Sequence, residues 1–176
     1  STDSTMNFEY LVTGELAEVR NENGDVLQEN EYNHEGIRIC REEGAESRRY
    51  FYDQGNVAFT EDNGDISTAN VRSLDGEMIG SYRENSYYLY TEDIQGSTGV
   101  ITDCNANVKN TYDYSDFGEV TLSGANTIEN EICYAGAVYD ASMGLHYLNA
   151  RYYDPENGRF ISQDSFRGNM DDFGQW

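Results

Sequence analysis

The sequence predicts an all-β fold: an antiparallel array of β-hairpins that ends in an atypical C-terminal cap. Three observations support this prediction. Glycines recur at nearly even intervals, a second series of turn residues falls midway between them, and apolar residues alternate with polar ones in the stretches between turns. No comparable window shows the 3.6-residue period of an amphipathic helix, so we expect little helix.

The two series of turn residues define the repeat. The first series is Gly14, Gly36, Gly55, Gly76, Gly96 and Gly118, separated by 22, 19, 21, 20 and 22 residues. The second series lies at residues 22–24, 42–44, 62–64, 84–86 and 105–107, which are rich in Gly, Asn, Asp and Glu. Because Gly, Asn and Asp suit the positive φ angles of tight turns, a chain reversal is expected about every ten residues. Each repeat is therefore predicted to be one hairpin.

Alternating apolar residues predict the buried face of each strand. The candidates are Phe8, Tyr10 and Val12; Ile37 and Ile39; Val57 and Phe59; Tyr88 and Tyr90; Tyr112 and Tyr114; and Val120 and Leu122. Side chains two residues apart point to the same face of a strand, so each group should line one surface. A single hairpin is only marginally stable, whereas hairpins stacked in register bury one another's apolar faces.

Two tyrosine-aspartate pairs, Tyr52-Asp53 and Tyr112-Asp113, suit this geometry. We expect the ring to pack inward while the carboxylate caps a turn by accepting backbone N–H bonds. Residues 61–65, Glu-Asp-Asn-Gly-Asp, leave open the alternative that some carboxylates bind Ca²⁺. The twelve-residue calcium loop with its terminal Glu is absent, however, so a structural role is favoured and no metal or other cofactor is predicted.

Composition limits the classes of partner. With 33 Asp and Glu against 11 Lys and Arg, the formal charge of −22 repels phosphate backbones and anionic lipids, so neither nucleic acid binding nor membrane insertion is expected. Cys40, Cys104 and Cys133 are odd in number and lack a C-x-x-C spacing. They are predicted to be buried thiols rather than zinc ligands or disulfides.

The regular spacing stops after Gly118, and the chain then becomes denser in Tyr, Arg and Asp. Repeat arrays usually end in an atypical cap. We therefore divide the chain into hairpin repeats over residues 1–125 and a cap over residues 126–176.

The run from Tyr139 to Asp164 closely resembles the Rhs-associated core, which follows the tyrosine/aspartate (YD) repeats of the Rhs family. The hallmark of that core is matched by Arg151, Tyr152, Tyr153, Asp154, Pro155, Gly158, Arg159 and Phe160. The resemblance implies a large secreted or cell-surface bacterial protein whose repeats form a hollow β-shell around its own C-terminal effector polypeptide. The present chain would supply the last turns of that shell and the start of its plug.

The resemblance also implies one reaction, an aspartic-type self-cleavage that releases the downstream effector. Such a site needs two carboxylates that share a proton, and Asp164 with Asp172, or its neighbour Asp171, could supply them. Ser165 stands where the family has proline, and the sequence ends at Trp176, before the segment expected to be cut. A turn-capping or ion-pairing role for Asp164 is the alternative.

The remaining polar residues favour structural roles. Asp154 precedes a proline and should adopt an extended or turn conformation, while Arg151 and Arg159 can neutralise nearby acids. His34 and His146 have no nucleophile in a recognisable setting, so a catalytic triad is not expected.

Two other functions stay open at this point. The 15 tyrosines could form a carbohydrate-binding platform of an adhesin, although rings at alternating strand positions more often form the core. A fragment of an array also exposes unpaired strand edges, so edge-to-edge self-association is expected.

Overall fold

A computed structural model describes residues 6–161 and confirms the all-β prediction. The chain forms a twelve-stranded and a four-stranded antiparallel sheet, and in both the strands follow one another in sequence order. The large sheet contains β1 (Asn7–Tyr10), β2 (Leu16–Arg20), β3 (Val26–Tyr32), β4 (Arg38–Glu43), β5 (Glu46–Asp53), β6 (Asn56–Asp62), β7 (Asp65–Arg72), β8 (Met78–Arg83), β9 (Ser86–Glu92), β10 (Thr98–Asp103), β11 (Val108–Tyr114) and β12 (Val120–Ser123). The small sheet contains β13 (Val138–Asp140), β14 (Leu145–Leu148), β15 (Arg151–Asp154) and β16 (Arg159–Phe160), and one 3-10 helix covers Tyr134–Gly136.

Both predicted series of turns are present. Some connections are two-residue hairpins, such as Asn63-Gly64 between β6 and β7, where both residues have positive φ angles of 52° and 94°. Positive φ at both central positions matches the right-handed twist of the flanking strands, which explains the Asn-Gly sequence. The other connections are five-residue turns in which the N–H of the fourth residue donates to the carbonyl of the first, as from Gly36 to Asn33 (3.0 Å).

Apart from the turn that begins at Leu11, the five-residue turns are capped by their own first residue. Asp103 is typical, because its Oδ1 accepts bonds from the backbone N–H groups of Asn105 and Asn107, both at 2.9 Å. The same side-chain bonds are made by Asn21, Asn33 and Asp93, and Ser73 and Ser115 make the second of them. The predicted turn-capping role of Asp113 is wrong, because Asp113 lies within β11 and not at the start of a turn. Its carboxylate instead accepts a bond from the hydroxyl of Ser123 on the neighbouring strand.

A β-bulge lies three residues after each of the first five glycines. In β4, for example, Tyr32 pairs with Arg38 and Glu31 with Cys40, which leaves Ile39 as the extra residue. The bulged residues are Ala17, Ile39, Ala58, Ile79 and Gly99. A bulge bends its strand and increases the local twist, so this regular series curves the sheet.

The bulges change which side chains face inward. The predicted faces are correct for Tyr88 and Tyr90, which are buried. In β4 and β6 the bulge places inward side chains three residues apart instead of two, so two predictions are wrong. β4 buries Arg38 instead of Ile39, and β6 buries Val57 and Thr60 instead of Val57 and Phe59. The prediction also fails for three other residues: Val12 lies in a turn and is fully exposed, while Tyr10 and Leu122 are each more than one third exposed.

Inward tyrosines on the odd-numbered strands support these bulges. The hydroxyls of Tyr32, Tyr52 and Tyr114 donate to the backbone carbonyls of Leu16, Arg38 and Thr98 at 2.7–2.9 Å. Each of these carbonyls belongs to the residue directly before a bulged one. Because a bulge interrupts the ladder of backbone hydrogen bonds, the tyrosine hydroxyl supplies a donor where the ladder is disrupted.

The C-terminal part of the chain packs against the inner face of the large sheet. One buried cluster joins Leu16, Val19, Tyr50 and Val57 of the large sheet to Ile132, Val138, Met143, Leu145, Tyr147 and Tyr152. A second joins Met78, Tyr88, Tyr90, Ile101 and Tyr112 to Cys133. The large sheet ends at Ser123 and the small sheet starts at Val138, so the predicted division at residues 125 and 126 falls between them and stays a prediction.

The large sheet does not close on itself. Its edge strands β1 and β12 both contribute to a cleft of about 410 Å³, through Phe8 and Val120 respectively, and the small sheet forms the remaining wall. Within residues 6–161, no helix combines the length and apolar character required to cross a bilayer.

Candidate functional site: the buried junction between the two sheets

The junction is centred on an ion pair that is completely removed from solvent. Arg38, on the inner face of β4, and Asp140, at the end of β13, both have 0% exposed surface. The guanidinium and the carboxylate form a bidentate pair, with Nη1 at 2.5 Å from Oδ2 and Nη2 at 3.1 Å from Oδ1. The pair therefore links the two sheets directly.

Aromatic rings enclose Arg38. Its guanidinium carbon lies 4.8, 4.5 and 5.6 Å from the ring centroids of Tyr50, Tyr147 and Tyr152. Tyr147 also accepts the backbone N–H of Arg38 at 2.7 Å, and Tyr152 accepts from Nη1. The electron-rich faces of the rings favour a cation at this position, which offsets part of the cost of burying it.

Two further arginines extend the network towards the surface. Arg41 donates to Oδ1 of Asp140 at 2.8 Å and to Glu131 at 2.6 Å. Arg48 binds both carboxylate oxygens of Asp62 and also contacts Glu131 and Glu129. Arg38, Arg41 and Arg48 thus each pair with acidic residues of the C-terminal segment, by which we mean residues 126–161.

Uncharged polar side chains complete the shell around Asp140. Gln28, which is fully buried on β3, donates through Nε2 to Asn30 at 2.9 Å, to Asp140 at 3.1 Å and to the hydroxyl of Tyr152 at 3.2 Å. Asn30 in turn donates to the backbone carbonyl of Leu16. The polar core is therefore a connected network across β2, β3, β4, β13 and β15.

The electrostatics keep the pair charged. Burial alone would raise the pKa of Asp140, but the charges of Arg38 and Arg41 outweigh it, so its pKa lies below its usual range. Burial raises the pKa of Tyr152, which stays protonated and can donate as well as accept. Asp140 is therefore ionised, and both of its carboxylate oxygens accept hydrogen bonds from side chains of the junction. These bonds attach the small sheet to the large sheet.

A second contact joins the sheets on the other side of the C-terminal segment. The backbone N–H of Thr98 donates to Cys133, and its hydroxyl donates to the carbonyl of Ile132 at 2.7 Å. His146 of β14 lies 2.8 Å from the carbonyl oxygen of Gly118, in the turn before β12. The C-terminal segment is thus bonded to both halves of the large sheet.

The predicted core motif lies around β15 and the turn that follows it. Tyr152 is the buried tyrosine of the motif, and Tyr153 meets Phe160 edge to face with ring centroids 5.5 Å apart. Arg151 places its guanidinium 3.8 Å from the centroid of the same Phe160 ring.

The turn after β15 contains the next residues of the motif. Asp154 accepts bonds from the backbone N–H and the side-chain amide of Asn157, and Pro155 is buried. A Cβ atom on Gly158 would come within 3.1 Å of the Phe117 ring, and its φ of 62° also favours glycine. Arg159 is exposed and pairs with Asp154 in the register of β15 and β16.

The predicted catalytic residues cannot be placed. Asp164 and Asp172, with Asp171 and Ser165, lie outside the described residues. Conversely, Arg38, Arg41 and Asp140 were not among the predicted site residues. For the two arginines a signal exists in their spacing of three, which matches the inward pairs Leu16/Val19 and Met78/Ser81 on equivalent strands.

The cysteines and the segment considered for calcium can now be compared with their predictions. Cys40 and Cys133 are buried as predicted, whereas Cys104 lies in a turn and is exposed, so that prediction is wrong. Asp62, in the segment considered for calcium, is held by Arg48. In the part of the chain that the structure describes, no cluster of three or more His, Cys, Asp or Glu side chains could hold a metal ion.

Tyrosine is mainly a core residue here. Tyr50, Tyr88, Tyr90, Tyr112, Tyr147 and Tyr152 are buried, while Tyr82 and Tyr87 form an exposed pair with ring centroids 4.8 Å apart. The inward rings cannot serve as a sugar platform.

The fold has close counterparts among solved structures. The crystal structure of TcdB2-TccC3 superposes with a TM-score of 0.68 and 21% sequence identity, covering 90% of this chain and 9% of that one. The crystal structure of TcdB2-TccC3-TEV gives a TM-score of 0.69 with the same coverage. At this identity the likeness establishes the fold.

Sequence relatives are much longer proteins. The tRNA nuclease WapA of Bacillus subtilis (strain 168) is 33% identical over 146 residues, which is 80% of this chain and 6% of the relative. Salivary gland surface protein 1 of Aedes aegypti is 29% identical over 164 residues, or 91% of this chain and 5% of that protein. The double-stranded DNA deaminase toxin A of Burkholderia cenocepacia (strain H111) is 30% identical over 103 residues, 55% of this chain and 7% of that one.

A family model describes almost the whole sequence and names the architecture found here. The model for the teneurin YD-shell matches residues 1–173. Together with the consecutive hairpins and the curved sheet, this match shows that the chain belongs to the teneurin YD-shell family.

Proposed function

We propose that this chain is a segment of a shell that encloses and presents the C-terminal effector polypeptide of a secreted or cell-surface bacterial protein. The observation that carries the proposal is the junction: the inner face of the hairpin array holds a later segment of the same chain through the buried Arg38–Asp140 pair. A shell must retain its contents, and the junction joins the two sheets through charged pairs and hydrogen bonds.

The relatives support an effector as the partner. Two of them bear the names of a tRNA nuclease and a DNA deaminase toxin, and this chain spans only 6% and 7% of their lengths. The matched segment is far too short to contain those activities as well as a shell. The enzymatic part of such a protein must therefore lie elsewhere in its chain, where a shell could hold it.

The position of the C-terminal segment supports placing this chain at the end of the shell. The C-terminal segment, which supplies Asp140 and Tyr152, fills the curve of the sheet. We propose that residues 126–176 form the start of the plug and residues 1–125 the last repeats.

Limited proteolysis of the full-length parent protein tests the proposal. We expect the effector downstream of residue 176 to resist proteinase K in the wild type and to become sensitive in Asp140→Asn, because the plug loses its anchor. Asp116→Asn, which removes an exposed carboxylate from a turn, is the matched control and should keep the protection. An effector that is digested equally fast in the wild type would contradict enclosure.

The same experiment tests the alternative function, aspartic-type self-cleavage by Asp164 and Asp172. A fragment that appears without added protease, and disappears in Asp164→Asn but not in Asp116→Asn, would support that function. It is compatible with a shell, because release of an effector requires that it was first retained.

A further inference from the structure

The chain contains two histidines in contrasting places. His34 lies in the exposed turn between β3 and β4. His146 lies in β14, has 0% exposed surface, and faces the large sheet at the second contact between the sheets. His34 is thus a built-in reference for His146.

The hydrogen bonds of His146 define its proton state. A carbonyl oxygen can only accept, so the imidazole Nε2 must carry the hydrogen that bonds to Gly118 at 2.8 Å. Nδ1 is then the acceptor nitrogen of a neutral ring, and among residues 6–161 it is buried without a hydrogen-bond partner. A second proton on the ring would place an N–H donor and a positive charge where no acceptor is present.

The surroundings offer little to neutralise such a charge. The rings of Tyr134, Tyr139 and Tyr153 lie 5.6, 4.9 and 6.5 Å from the imidazole. Asp140, one strand away on β13, is already bound by two arginines, and Glu119, beside Gly118, is exposed. Aromatic faces can recover only part of the desolvation cost of an imidazolium.

The bond partner of His146 lies next to an open edge of the large sheet. Gly118 lies two residues before β12, an edge strand of four residues that pairs only with β11 within residues 6–161. Tyr134 packs so closely on Gly118 that an added Cβ would lie 2.7 Å from the ring. The turn that contains Gly118 therefore covers His146 together with Tyr134.

We infer that His146 is an acid-sensitive latch: its protonation opens the contact between the small sheet and the β12 edge, while the Arg38–Asp140 junction holds. The two attachments respond differently because one depends on a neutral ring and the other on charges that are already paired. On the proposed shell function, the shell then loosens at mildly acidic pH along β12, one of the two edge strands of the large sheet.

The sign of the pH dependence follows from burial. Burial lowers the pKa of His146 below its ordinary value of 6.5, and the bond to Gly118 offsets only part of this effect. A group with a lowered pKa in the folded state stabilises the fold fully above 6.5, and this stabilisation is lost as the pH falls below 6.5 towards the folded-state value. The carboxylate of Asp140 remains ionised in this range, because the charges of Arg38 and Arg41 lower its pKa as well.

The test compares the wild-type chain with His146→Gln and His34→Gln between pH 7.5 and 5.0. Gln can still donate to Gly118 but does not titrate in this range, whereas His34→Gln removes the exposed imidazole alone. We expect the melting temperature of the wild type and of His34→Gln to fall by roughly 3–5 °C per pH unit below pH 6.5, and that of His146→Gln to fall less steeply.

Amide hydrogen exchange locates the opening and remains informative if His146→Gln folds poorly. In the wild type, the amides of β12 should lose protection between pH 7.5 and 5.5, after correction for intrinsic exchange, while those of β4 and β5 keep theirs. Superimposable melting profiles for the wild type and His146→Gln would overturn the inference. So would an NMR titration in which the pKa of His146 lies at or above the ordinary value of 6.5, or a loss of protection spread evenly over the large sheet.

Discussion

At the scale of single residues, Asp140 is the side chain on which the packing of the two sheets depends most directly. It accepts bonds from Arg38, Arg41 and Gln28, and all four of these residues are buried. Removing one member of such a set leaves uncompensated charge in the core, which is far more costly than the net contribution of the intact pair. Asp140 is therefore a better probe of the junction than any apolar residue.

Asp140→Asn should lower the free energy of unfolding by about 3–5 kcal/mol, because it removes the negative charge that two buried arginines share. Urea denaturation followed by fluorescence measures this. Asp116→Asn, at an exposed turn position, should change stability by less than about 0.5 kcal/mol. A loss below about 1 kcal/mol in Asp140→Asn would mean that water or a rearranged side chain takes over the carboxylate's role.

Residue identity alone could not predict this network. Arginine is mostly exposed in proteins, so the rule of apolar residues inside chose Ile39 over Arg38 in β4. The bulge at Ile39 puts Arg38 and Arg41 on one face, and the partners of these two arginines come from a segment about 100 residues later. Pairing across such a separation leaves no local sequence pattern.

At the scale of elements, the regular features of the chain were predictable and the irregular ones were not. Turn positions follow from Gly, Asn and Asp, because positive φ angles and side-chain caps are local requirements. Bulges are also periodic here, three residues after Gly14, Gly36 and their equivalents, yet no residue type marks them: Ala17, Ile39 and Gly99 share no chemistry. The inward faces of β4 and β6 were consequently misassigned.

The repeated tyrosine acquires a specific role from the bulges. Tyr52→Phe keeps the ring but removes the hydroxyl that donates to the Arg38 carbonyl at 2.9 Å. We expect it to lower the free energy of unfolding by about 1–2 kcal/mol, because a partly buried carbonyl loses its donor. Tyr87→Phe is the control, since this ring is 61% exposed on the outer face and should tolerate the change. Equal effects of the two substitutions in urea denaturation would argue against a bulge-supporting role.

At the scale of the whole molecule, the unpaired edge strands and the net charge have opposite effects on self-association. The sheet ends in two edge strands, β1 and β12, that pair with no further strand within residues 6–161, and such edges promote association between chains. The charge of −22 opposes any close approach of two copies. The balance between them depends on ionic strength, because salt shortens the Debye length from about 30 Å at 0.01 M to about 8 Å at 0.15 M.

Sedimentation velocity across a salt series can therefore show whether the edges associate. We expect the isolated chain to be monomeric at about 0.01 M salt and to form dimers as the ionic strength rises, since screening removes the repulsion but leaves the edges unpaired. Thr121→Lys, on the exposed edge strand β12, should weaken these dimers because a charged lysine on an edge strand disfavours pairing with another chain. Thr102→Lys makes the same chemical change on the interior strand β10 and should leave them unaffected. If both variants dimerise like the wild type, or if salt dissociates the dimers, association proceeds through another surface.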